Sequence, residues 1–113
     1  MKDIYDELLK WKSELLDEVK SIEKIEKERE LQTYTLQRKI DILETVKREL
    51  DSNQQIKFET ARIEPFKGSL ESLEQEIKSK EESYSTRKKE LKAIIDTLQV
   101  QIDQLYQNME SAQ

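Results

Sequence analysis

The sequence predicts an all-α protein: a long two-helix antiparallel coiled-coil hairpin, with helices over about residues 2–50 and 65–110, that assembles into a dimer or helical bundle. Three observations predict it. Leucines and isoleucines recur in sevens along most of the chain. The only proline and the only glycine, Pro65 and Gly68, fall together near the middle. Charged residues make up 40% of the 113 and the hydrophobic set 35%, too little for a conventional globular core but typical of helices that bury one stripe. The whole chain, 1–113, reads as one elongated coiled-coil domain with a helix break at about 51–69.

The first helix starts near Lys2. Asp3 can cap its first turn, and Asp6 and Glu7 sit favourably at the positive end of the helix dipole. With Leu8 as heptad position a, the a series continues through Leu15, Ile22, Arg29, Leu36, Leu43 and Leu50. The d series is Ile4, Trp11, Glu18, Ile25, Gln32, Lys39 and Val46. Leu9, Leu16 and Val19 broaden the stripe at the N-terminal end, and a broad face serves more than one packing partner. Arg29 and Gln32 make the middle polar, which costs stability and helps fix register.

The break is expected from chemistry. Proline lacks a backbone N–H and clashes with the preceding helical turn, and it disfavours helical backbone at Glu64. Gly68 adds a helix penalty of about 1 kcal/mol. Upstream, Asp51, Ser52 and Asn53 carry side chains that compete with the helical backbone for hydrogen bonds. The zone from Asp51 to Ser69 is therefore read as weak, with Pro65 and Gly68 marking the hairpin break and a kinked continuous helix as the alternative.

In the second helix the a series is Ile63, Leu70, Ile77, Tyr84, Leu91, Leu98 and Leu105, with Phe66, Leu73 and Ile94 among the d positions. Past Leu91 the stripe drifts by one position onto Ile95, Ile102 and Met109, a stutter-like change of phase. Folded antiparallel, the halves have a good register with Leu50 opposite Phe66, Ile22 opposite Ile94 and Trp11 opposite Leu105, at the expense of setting Arg29 against Arg87. A register shifted by one heptad is nearly as good and shortens the loop.

A hairpin brings both ends of the chain to one tip, where both broad apolar faces lie. Leu8, Leu9, Trp11, Leu15, Leu16 and Val19 come from the first helix. Ile94, Ile95, Leu98, Ile102, Leu105, Tyr106 and Met109 come from the second. Two helices cannot bury all of these against each other, so the tip is expected to form an oligomer or partner interface, taking a second copy or another protein's helices. The residues imply no cofactor, metal or small-molecule substrate. The sequence has no histidine and no cysteine, which removes the usual general base near neutral pH and the thiol nucleophile. One glycine forbids a phosphate-cradling loop, and carboxylates on a solvated helix face have no cleft to shift their pKa. The expectation is a non-enzymatic structural or adaptor protein, a small subunit of a larger complex of cytoskeletal, chromosome-segregation or trafficking type.

Nucleic acid is a weak alternative partner. Arg38-Lys39, Lys47-Arg48 and Arg87-Lys88-Lys89 are short basic clusters, but acids are interleaved and the formal net charge is −5. No apolar run is long enough for a membrane span, and the first residues lack the pattern of a signal peptide, so a soluble intracellular protein, cytoplasmic or nuclear, is expected. The layout of helix, short irregular middle and helix resembles a prefoldin subunit. That resemblance implies a chaperone arm holding non-native clients, and β-hairpins between the helices; only Gln54 to Phe66 is available for them, with one alternating fragment, Ile56-Lys57-Phe58.

Overall fold

The computed structural model describes residues 2–111. Of the described residues, 96% are helical and none lies in a strand. Helix α1 spans Lys2–Lys47, α2 spans Ser52–Phe58, a π-helical segment spans Glu59–Ile63, and α3 spans Glu64–Ser111. The fold class is the expected helical hairpin. Ile56-Lys57-Phe58 lies inside α2, so nothing in the middle matches prefoldin's β-hairpins.

The turn is not at Pro65 and Gly68. It lies upstream, at Arg48–Asp51. The amides of Glu49 and Leu50 bond back to the carbonyls of Val46 and Lys47, at 3.1 and 3.0 Å, so the last turn of α1 tightens to three-residue spacing before it stops. Asp51 then caps α2. Its backbone is extended (φ −70°, ψ 167°), its Oδ1 accepts the Gln54 amide at 2.9 Å, and the Gln54 side chain accepts the Asp51 amide at 3.4 Å. This reciprocal pair is a capping box. The Gln55 side-chain amide reaches back to the Leu50 carbonyl at 2.9 Å and closes the connection.

From Ser52 the residues stay helical without a gap to Ser111. Proline is accommodated by the π segment directly before it. The Glu64 amide bonds to the Glu59 carbonyl five residues back, and Glu64 is itself helical (φ −55°, ψ −39°). The wider turn gives the Pro65 ring room where an α turn would drive it into a carbonyl. The expectation that proline pushes Glu64 out of the helical region is corrected. Gly68 needs no special backbone either; its φ is not positive, and a Cβ built there would meet nothing within 4 Å.

The chain forms two compact units. The terminal unit comprises Met1–Lys24 and Glu82–Gln113; the turn unit is Ile25–Glu81. In the terminal unit, Val19 and Ile22 pack with Leu91 and Ile95, flanked by Leu15 and Tyr84. Leu8 packs with Leu98 and Ile102, flanked by Tyr5, Leu15 and Leu105. These partners, with Lys12 bonding to Gln99 and Glu18 to Arg87, belong to the register shifted by one heptad. Trp11 is not opposite Leu105; Tyr5 stands there instead.

In the turn unit, Ile40, Ile63 and Leu73 are buried. Arg29 pairs with Glu76 at 2.5 Å, and Lys67 bridges Glu44 at 3.2 Å and Glu59 at 3.0 Å. Lys47 reaches Glu59 at 3.2 Å, and the Lys39 ammonium lies 5.5 Å from the centroid of the Phe66 ring. Each of the arginines expected to confront one another therefore has an acid within its own unit: Arg29 has Glu76 and Arg87 has Glu18.

One side of the α1 seam also differs from expectation. The a series is turned inward, from buried Leu8 and Ile22 to half-buried Leu15, Leu36 and Leu43. Its companions are four residues on, at buried Val19 and Ile40, rather than three. The d residues Ile4, Trp11, Ile25 and Val46 are exposed. The reason lies in the rest of each set. A d seam would have to enclose Glu18, Gln32 and Lys39, whereas the alternative offers Val19 and Ile40 with the small Thr33 and the long stems of Lys12 and Lys47.

Candidate helix-docking surface

All thirteen residues expected at the open tip lie in the terminal unit. The structure sorts them into two groups. Leu8, Val19, Ile95, Leu98 and Ile102 are buried, and Leu15, Leu105 and Met109 are half-buried; these make the seam between α1 and α3. Leu9, Trp11, Leu16, Ile94 and Tyr106 stay exposed, with Trp11 and Tyr106 each at 50%. Only this second group is open to another molecule.

The exposed group divides between two flanks. Residues seven apart on a helix share a face, and residues four apart are neighbours. Ile4 and Trp11 are therefore in line with Glu18, and Ile94 is in line with Arg87. The Glu18–Arg87 bond places all of these on one flank of the unit. Leu9 follows Tyr5 by four and Leu16 follows Lys12 by four. Tyr5 lies against Tyr106, with ring centroids 6.3 Å apart, and Lys12 bonds to Gln99. Leu9, Leu16 and Tyr106 thus share the opposite flank. Ile4 and Val100, at 57% and 55% exposure, are further apolar groups that the sequence reading did not place at the interface.

Glu18, hydrogen-bonded to Arg87, raises the arginine's pKa, and the nearby Glu90 adds to this. Glu110 accepts a hydrogen bond from Tyr106 and raises the phenol above its ordinary value. No buried side-chain polar atom lacks a partner, and no cluster of three or more acids is placed to hold a metal ion, both among the described residues. Much of the basic material is engaged locally: Arg87 with Glu18 and Glu90, Lys47 with Glu59, and Lys39 over Phe66.

Sequence reasoning missed a second apolar surface, in the turn unit. Leu31, Tyr34, Ile42 and Val46 are exposed at 64%, 63%, 53% and 46%. Leu31 and Ile42 fall outside both the a and the d series, so a search for heptads passes over them. Their spacing of eleven residues, three helical turns, was the available signal. No described helix is long and apolar enough to cross a membrane. No family model, no curated protein and no solved structure matches the chain.

Proposed function

We propose that the chain is a non-enzymatic coiled-coil adaptor, a small subunit of a larger assembly, that engages other helices through the apolar flanks of its terminal unit. The observation that supports this reading is the persistence of Leu9, Trp11, Leu16, Ile94 and Tyr106 at the surface after the seam has closed. A large aromatic flanked by aliphatic groups is the composition of an interface anchor. Two such flanks on a pair of helices suit the addition of further helices to make a bundle.

A client-holding arm is the second reading, supported by the same exposed side chains. Photocrosslinking in the native cell separates the two. A benzophenone amino acid at position 11 or 16 is expected to give one or a few discrete adducts of fixed size, and none from position 90, where exposed Glu90 is replaced. A continuous smear of adducts would favour the client-holding arm. No adduct from either flank would overturn both.

A further inference from the structure

We propose that the flank of the terminal unit carrying Trp11 takes a basic amphipathic helix of another protein, laid along the groove between α1 and α3. The proposal rests on the adaptor reading and names the chemistry of its partner. Ile4 and Trp11 from α1 and Ile94 from α3 are exposed along this groove. Gln101, seven residues from Ile94, continues the α3 side. Apolar groups lining a groove between two helices suit a third helix that presents an apolar face of its own.

Charge selects the partner. Residues three and four away stand beside an anchor on a helix. Beside Trp11, on the side away from the seam, these are Glu7 and Glu14; beside Ile94 they are Glu90 and Thr97. Glu7 and Glu14 are exposed and have no ion pair or hydrogen bond among the described residues. The base on this flank, Arg87, is already engaged by Glu18 and Glu90. Lys10, Lys12 and Lys20 stand about 100° or more round α1 from Trp11. A helix rich in lysine or arginine supplies the missing counter-charge at both edges of the groove, whereas phosphate backbones and anionic lipid are repelled. A second copy is a poorer occupant. Set about a two-fold axis on this flank, it brings acidic rim against acidic rim. The opposite flank, with Leu9 and Leu16, mixes Lys12 and Lys20 with Glu23 and Asp103, and a contact between unlike flanks does not close into a dimer.

Trp11 is the only tryptophan in the chain, so its fluorescence reads the groove directly. The probes are two tryptophan-free peptides of about 20 residues, long enough to hold a helix. They share one leucine face; one carries lysine and arginine beside it and the other glutamate. With the full chain at low salt, the basic peptide is expected to shift Trp11 emission to shorter wavelength and to bind roughly tenfold tighter than the acidic one. Added salt should weaken it. Glu7→Lys with Glu14→Lys is expected to reverse the preference; both positions are exposed, so helicity by circular dichroism stays that of the parent. Leu9→Glu with Leu16→Glu, on the opposite flank, should leave basic-peptide binding unchanged. No shift with the basic peptide, equal binding of the two peptides, or binding lost in the opposite-flank variant would overturn the proposal. So would a dimer mass for the chain alone, by light scattering, that Trp11→Glu abolishes; that result gives the groove to a second copy. The adaptor reading is judged separately, by the adducts from position 11. A discrete adduct joined to an acidic or uncharged segment would leave that reading standing and overturn this one.

Discussion

Arg87 reaches across the terminal unit to Glu18, with Nε at 2.9 Å and Nη2 at 2.8 Å from one carboxylate oxygen. This bond reports the register. It sets Glu18 close to the level of Leu91, the residue sealed between Val19 and Ile22. The alternative pairing one heptad away would bring Trp11 opposite Leu105. A short thiol crosslinker is therefore expected to join Glu18→Cys to Arg87→Cys within one chain. Trp11→Cys with Leu105→Cys should stay unlinked, because they are separated by about 10 Å along the axis at 1.5 Å per residue. Efficient linkage of the second pair would reverse the assignment.

The seam concentrates stability in few side chains. Leu91 and Ile63 are the two side chains sealed completely, one in each unit. Truncating either to alanine removes buried methyl groups and leaves a cavity, with an expected cost of about 2–5 kcal/mol. Ile94, at 46% exposure, is three residues from Leu91 and makes the control. Ile94→Ala is expected to change stability by no more than about 0.5 kcal/mol. Urea unfolding followed by circular dichroism gives all three values. Equal losses at 91 and 94 would mean that the seam is misassigned.

Gly68 gives the opposite sign. It lies inside α3 with open space where a Cβ would stand. Alanine there reduces the conformational freedom of the unfolded chain and clashes with nothing. Gly68→Ala is expected to stabilise by roughly 0.5–1 kcal/mol in the same urea experiment. A glycine required by a turn would instead make that substitution destabilising.

Much of the architecture was legible in the sequence because heptads report helices directly, and the a series of both helices was turned inward as read. The location of the turn is not legible from proline and glycine, although they are the strongest breakers in the sequence. A single π turn absorbs Pro65, and the roughly 1 kcal/mol that Gly68 costs α3 is not enough to end it. The real signal was Asp51 with Gln54 three residues later, a capping pattern inside a zone noted for its polar side chains. The choice between three- and four-residue companions along α1 depends on α3. Leu15 alone is compatible with Trp11 or Val19 as its neighbour in the seam; only the partner helix decides. The tip was legible as an apolar surplus, but which half of it stayed exposed was not, for the same reason.

Asp51 carries the turn, which makes it a point of failure. Replacing it with alanine removes the acceptor for the Gln54 amide, and the expected loss is about 1 kcal/mol, within the usual range for a helix N-cap. Asp51→Asn keeps an acceptor at the same place and should recover most of the loss. Hydrogen exchange should show faster exchange at Gln54 and Gln55, whose amides are held by the Asp51 side chain and carbonyl, before any change at Leu91. Faster exchange at Leu91 first would point to global loosening instead.

Beside that turn Glu59 lies between two lysines, accepting from Lys67 at 3.0 Å and from Lys47 at 3.2 Å. The Lys67 hydrogen bond is the main cause that holds its carboxyl below the ordinary value of 4.5; burial opposes it, and Lys47 adds to the lowering. A carboxyl whose pKa is lower folded than unfolded binds fewer protons in the folded state. Its contribution is fully present above the ordinary carboxylate range and is lost as the pH falls through its folded value. The stability gap between the parent and Glu59→Gln should therefore be present at neutral pH, shrink below pH 4.5 and close in strong acid. Salt should narrow the gap at neutral pH, because all three side chains keep some exposure to solvent and are partly screened. Paired urea titrations at several pH values read the gap directly. A gap that stays constant into acid would mean that Glu59 acts through the packing of its stem over the π segment and not through its charge.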